Sequence, residues 1–141
     1  MARIKLDPPI NIIAKIKIQV RITDINYGNH LGNDSLVSIL HEARVQWLKG
    51  MGYTELDIEG VSLILNELVV NYRSESFLGD VLEIGLSLGD FFESGFELYY
   101  EVVTHRNETV ILIARAKTNL VCYDYIQKKV VELPFSFKSK C

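Results

Sequence analysis

From residue 12 the chain changes character at every step. Ile12, Ala14, Ile16, Ile18, Val20 and Ile22 are apolar and even-numbered, while Lys15, Lys17, Gln19, Arg21 and Thr23 are polar and odd-numbered. Side chains along a strand point alternately to opposite faces, so this parity requires a strand with one face on a core. Extended two steps, the same parity puts Asp24 and Asn26 on the buried face. A carboxylate there is costly unless it is hydrogen-bonded or has chemistry to perform. The period then changes. Leu36, Ile39, Leu40, Ala43, Trp47, Leu48 and Met51 fall at helical spacing and predict a helix from about Ser35 to Met51 with one apolar stripe. Asn33 or Asp34 is placed to cap its start and Gly50 or Gly52 to end it. Trp47 reads as core filling.

From Val61 the pattern returns to strands. Val61 to Tyr72, Val81 to Leu88, Phe96 to Val103 and Thr109 to Tyr125 are rich in apolar, β-branched and aromatic residues. Phe77-Leu-Gly-Asp80, Glu93-Ser-Gly95 and His105-Arg-Asn-Glu108 separate them with turn chemistry. Strand, long helix, then four strands predicts an α+β layer, one helix on an antiparallel sheet, in a single domain over residues 1–141. A chain of this length buries roughly 68–70% of its unfolded surface.

Charge and cysteine content narrow the function classes. A net charge of −3 argues against a broad nucleic-acid surface, and Lys15-Ile-Lys17 and Lys138-Ser-Lys140 read as solvated faces. Two cysteines make no disulfide framework: Cys122 reads as a small buried hydrophobe, Cys141 as a mobile end. No apolar run approaches the ~20 residues that span a bilayer. Asp7, Pro8, Pro9 and Asn11 break the N-terminal stretch that a signal peptide would need. The expectation is a soluble, cytoplasmic protein with no membrane or nucleic-acid partner.

The polar cluster from Asp24 to Asn33 resembles the Asp-x-Asp-x-x-Gly-His-x-x-Asn motif of the hotdog-fold thioesterases, in the branch of the hydroxybenzoyl-CoA and short-chain acyl-CoA enzymes. Asp24, His30 and Asn33 stand at matching spacing. Glu42-Ala43-Arg44 resembles the Glu-x-Ala-Arg of that family's helix. Asn71-Tyr-Arg73 with Leu78-Gly79-Asp80, and Leu120-Val-Cys-Tyr-Asp124 with Leu133-Pro134, resemble its later strands and turns. The resemblance runs from about Ile16 to Pro134. It implies a hotdog fold, an antiparallel sheet wrapped around one long central helix. It also implies an acyl-CoA or acyl-carrier thioester as substrate and a homodimer or homotetramer with its site between protomers. Two departures bear on the chemistry. The family's usual catalytic aspartate is Asn26 here, and the glycine expected before the histidine is Asn29, with Gly28 one place early. Plant acyl-carrier thioesterases resemble the region too, but their asparagine falls on Gly28.

Thioester hydrolysis needs an activated water or nucleophile and a group that stabilises the developing oxyanion. Amides at a helix start can supply the second, one such donor being worth about 3–4 kcal/mol. Residues 30 to 35 are therefore expected to form the oxyanion hole, with Asn29, Leu31 and Asn33 against the substrate. Asparagine cannot act as a base at neutral pH, so Asn26 orients. That leaves Asp24, His30 and Glu42 for the proton. Imidazole titrates near neutrality, and carboxylates can act as base or nucleophile. Each has a plainer use: Asp24 capping loop amides, His30 satisfying carbonyls, Glu42 pairing with Arg44 or Lys49 or standing as an exposed group. His41 and His105 read as surface residues. His41-Glu-Ala-Arg-Val45 lacks the second histidine of a zinc helix, no Gly-x-Ser-x-Gly elbow occurs, and no phosphate loop follows Gly28 or Gly32. No metal or cofactor is expected. Beside hydrolysis stand a hotdog protein that binds acyl-CoA or an acyl carrier without cleaving it and, more weakly, a dehydratase using His30 and Glu42.

Overall fold

The computed structural model describes residues 3–141. Strand β1 (Ala14–Gln19) leads through a 3₁₀ turn at Ile22–Asp24 to helix α1 (Asn33–Gly50). Strands β2 (Ser62–Tyr72), β3 (Val81–Phe92), β4 (Gly95–Arg106) and β5 (Thr109–Asp124) follow, then the short β6 (Lys129–Val130) and helix α2 (Phe135–Lys140). The strands form one antiparallel sheet in the order β1-β3-β4-β5-β2, with β6 on β5. β1 and β2 are its edges.

Period-two burial in β4 and β5 defines the face that receives the helix. Leu98, Tyr100 and Val102 of β4, with Ala114, Ala116 and Leu120 of β5, are buried. Register sets Tyr100 against Ala116 and Val102 against Ala114, so large side chains face small ones and the sheet can curve around a cylinder. Onto this face α1 lays Leu36, Ile39, Leu40, Ala43, Trp47 and Leu48, the stripe read from its spacing. At its C-terminal end Trp47, Phe96 and Phe137 pack edge-on or tilted, with centroids 5.5 to 6.4 Å apart. Phe137 is the buried anchor of α2, a six-residue helix that the sequence pattern did not announce because it is too short to show a period.

Three local expectations are corrected. Ile22 is 70% exposed, because the parity ends at Val20, where the chain leaves β1 for the 3₁₀ turn. Helix α1 starts at Asn33 with Gly32 as its cap residue, so neither Asn33 nor Asp34 caps it. Gly32 leaves little room for a side chain: a Cβ on it would lie 2.8 Å from Asp34 Oδ1. β3 continues past Leu88 to Phe92, because a register shift between Leu88 and Phe91 absorbs the turn-like Gly89-Asp90. Cys122 is fully buried, and burial pushes its thiol up to about 11. No helix among the described residues is long and apolar enough to cross a membrane.

Candidate active site

The loop between β1 and α1 is tied to itself at close intervals. Asn26 N–H donates to the His30 carbonyl (2.9 Å), Asn29 N–H to that of Asn26 (3.1 Å) and Gly32 N–H to that of Asp24 (2.9 Å). Asn29 adopts φ 65°, a left-handed conformation that asparagine tolerates, so the loop reverses there and brings His30 back toward Asn26. Gly28 makes room for that return. A Cβ on it would lie 3.1 Å from His30 Nε2 and 3.3 Å from Asn26 Oδ1, which accepts the Gly28 N–H at 2.9 Å.

Asp24 is buried, but by the 3₁₀ turn rather than by strand parity. Its Oδ2 accepts the Arg21 N–H at 2.9 Å, and the Arg21 guanidinium lies 3.4 Å from both oxygens. This carboxylate thus closes the turn that delivers the loop. Glu42 is exposed on α1 and accepts a bond from Gln46 (2.7 Å) rather than from Arg44 or Lys49. Arg44 instead pairs with Glu55, which also holds His41.

A cleft of about 210 Å³ opens at the start of α1. His30, Leu31, Gly32 and Asn33 form one wall, Tyr72, Arg73, Glu75 and Ser76 the other, over Leu36 and Ile113. Of the residues singled out in the sequence, His30, Leu31 and Asn33 meet here; Asp24, Asn26 and Glu42 do not line it, and Asn29 stays on the exposed loop tip. No side chain caps the start of α1, and its first internal bond is Leu36 N–H to the Gly32 carbonyl, which leaves the amides of residues 33 to 35 without helical partners beside the cleft.

Sequence reasoning missed Glu75. Its Oε1 lies 3.8 Å from His30 Nε2, the nearest carboxylate to that imidazole. Nothing in the local pattern marks it, since it is 45 positions from His30 and reaches the cleft only through the connection after β2. That connection is held from both sides. Leu31 N–H donates to the Ser76 carbonyl at 2.7 Å. Asp80 Oδ2 accepts the Ser76 hydroxyl (2.8 Å) and Phe77 N–H (2.9 Å), and Arg106 bridges Asp80 to the Glu75 carbonyl. Gly79, at φ 87°, turns the chain back with Asp80 N–H on the Phe77 carbonyl, as the sequence anticipated for Phe77 to Asp80.

Asp80 makes this brace sensitive to pH. Burial pushes its carboxyl up, but bonds from Arg106, the Phe77 N–H and Ser76 outweigh that and leave it below the ordinary carboxylate value. A depressed folded value adds stability above the unfolded pKa and loses it as pH falls through the folded one. Stability is therefore expected to drop below about pH 4. Asp80→Asn should flatten that drop and cost about 1–2 kcal/mol at neutral pH. Melting curves across acidic pH check it, and an unchanged acid slope would refute the assignment.

Comparison with known proteins bears on the family and the fold. The family model described as the thioesterase-like superfamily matches residues 20–141. The 1,4-dihydroxy-2-naphthoyl-CoA hydrolase of Microcystis aeruginosa is 29% identical over 106 residues, covering 73% of this chain and 74% of that protein. Among solved structures, the 1,4-dihydroxy-2-naphthoyl-CoA thioesterase of Synechocystis superposes with a TM-score of 0.78 at 22% identity, covering 89% of this chain and 92% of that one. The 4-hydroxybenzoyl-CoA thioesterase of a Pseudomonas species superposes with a TM-score of 0.80 at 15% identity, covering 91% and 98%. At these identities the two structures speak for the hotdog fold alone.

Proposed function

Since the chain belongs to the thioesterase-like superfamily, we propose that it hydrolyses an acyl-CoA thioester to a free acid and CoA in the cleft at the start of α1. The observation that carries this reading is the meeting of His30 and Glu75 beside uncapped helix amides. In this scheme the thioester oxygen lies toward the amides of residues 33 to 35, where the positive end of the helix dipole stabilises it as charge develops. The His30 imidazole takes a proton from water as the water oxygen attacks the carbonyl carbon. Glu75, whose Oε1 lies 3.8 Å from Nε2, is the carboxylate nearest the ring. The tetrahedral intermediate then collapses with cleavage of the C–S bond, and His30 returns the proton to the departing thiolate. Leu31 and Asn33 border the acyl thioester; Asn26 and Asn29 shape the loop that presents His30. Asp24 closes the preceding turn, and Glu42 lies outside the cleft.

We extend the proposal to a homodimer joined across the β2 edge. That edge has unpaired ladder groups and exposes Leu65 and Leu68 beside a groove of about 230 Å³ against α1. A cytoplasmic location is consistent with this substrate class.

A second reading, an acyl-CoA or acyl-carrier binder without hydrolysis, draws on Asn26 at the family's acid position. A panel of acyl-CoA esters in a thiol-release assay separates the two. Turnover well above background on at least one ester, with kcat of about 1 s⁻¹ or more, is the expected outcome. Background rates on every ester, with CoA still bound, would favour the binder.

A further inference from the structure

Arg3, Lys5 and Arg73 line a cavity of about 310 Å³ with Asn71. All three cationic side chains are exposed, whereas the buried or half-buried Arg44, Arg106 and Arg115 of this net-acidic chain are paired with Glu55, Asp80 and Glu101. Among the described residues, none of the three cations in this cavity meets a carboxylate within 4.0 Å. Three like charges gathered at one opening make a positive patch that favours an anion.

The arrangement is held in place. Asn71, 6% exposed, accepts the Leu6 N–H at 2.7 Å and donates to the Ile4 carbonyl at 2.9 Å, which pins the N-terminal segment against β2 on either side of Lys5. Tyr72 and Arg73 join the cavity to the catalytic cleft. The Tyr72 hydroxyl donates to the Asn33 carbonyl at the helix start (2.9 Å), its own carbonyl faces Arg3 Nη2 (3.5 Å), and Arg73 lines both spaces.

We propose that this cavity is the phosphate site for the coenzyme A part of the substrate, with Arg3, Lys5 and Arg73 taking its phosphate groups while the thioester lies at the start of α1. This rests on the thioesterase reading for the nature of the ligand. Guanidinium groups match phosphate oxygens in bidentate geometry, and lysine adds a point charge. Three cations suit the diphosphate and 3′-phosphate of coenzyme A better than the single phosphodiester of a carrier-bound pantetheine.

The test pairs wild type with the Arg3→Gln/Lys5→Gln variant. Titration with adenosine 3′,5′-bisphosphate and with CoA needs no turnover. The variant is expected to bind both at least ~10-fold more weakly, with a shallower salt dependence. With an acyl-CoA ester its KM should rise by a similar factor, whereas the same acyl group on pantetheine should show an unchanged KM and kcat. Affinity for CoA within twofold of wild type would overturn the proposal, as would an equal loss on the pantetheine ester. So would phosphopantetheine binding as tightly as CoA and weakening equally in the variant, because one phosphate would then account for the site. If wild type binds CoA through these cations yet cleaves nothing, the hydrolytic reading falls and this one stands; cleavage that ignores the phosphates gives the converse.

Discussion

Replacing Arg44 with methionine is expected to destabilise the fold by about 3 kcal/mol, near the lower end of the cost of breaking a buried ion pair. Arg44 is 5% exposed, inside the layer between α1 and the sheet. Its Nε donates to Glu55 Oε2 at 2.8 Å and Nη1 to the Tyr100 hydroxyl at 3.0 Å, which lies 2.7 Å from Thr118 Oγ1. Burial alone would lower the Arg44 pKa; Tyr100 and Glu55 reverse that and leave it raised. Burial pushes Glu55 up, but Arg44 and His41 pull it below the usual value. Each charge therefore depends on the other. Methionine fills the stem's volume, so the loss reports the stranded carboxylate rather than a cavity. The cost falls short of a fully buried pair because Glu55 retains His41 and some solvent. Adding Glu55→Gln should recover about 1 kcal/mol or more, as expected for coupled neighbours. Urea unfolding of both variants measures this; a loss under ~1 kcal/mol for Arg44→Met would remove the pair from the determinants of the fold.

Arg44 also marks where the sequence stops being readable. The plain reading of Glu42, beside the apolar stripe, left open a partner in Arg44 or Lys49 or an exposed group, and no spacing pointed Arg44 to Glu55. Burial turns Arg44 inward to Glu55 and leaves Glu42 outside, a choice fixed by packing rather than spacing. The β1 alternation and the α1 stripe were legible because one solvated and one buried face impose a strict period, whereas β4 and β5 showed only in their β-branched and aromatic content. That logic failed at Ile22, where a 3₁₀ turn replaced the strand, although Asp24 was still buried as expected. The turn from Phe77 to Asp80 was legible through Gly79, whose positive φ a side chain would disfavour. Half of the cleft was not, because Tyr72, Glu75 and Ser76 meet His30 only through the closure of β2 onto α1.

This hidden half decides the second large effect. His30→Ala is expected to lower kcat by ~10²–10³-fold with KM changed less than about threefold, the signature of a lost proton-transfer group. Its imidazole is only partly buried, so the melting temperature should hardly move. Glu75→Gln should cost ~10-fold or more in kcat, and less in the His30→Ala background, because a group acting through the imidazole has nothing to assist once the ring is gone. Asp24→Asn sets the contrast. Its carboxylate is occupied by the Arg21 N–H and guanidinium, so the loss should appear as stability, about 1 kcal/mol, with kcat reduced less than ~10-fold. Asn26→Asp tests the family position directly: its oxygen already accepts the Gly28 N–H, so a carboxylate there fits without rearrangement. A kcat within about threefold of wild type in that variant would leave the proton with His30 and Glu75. A large gain would show that the acid position is intact and merely disarmed, and a drop greater for Asp24→Asn than for His30→Ala would move the base to the buried turn.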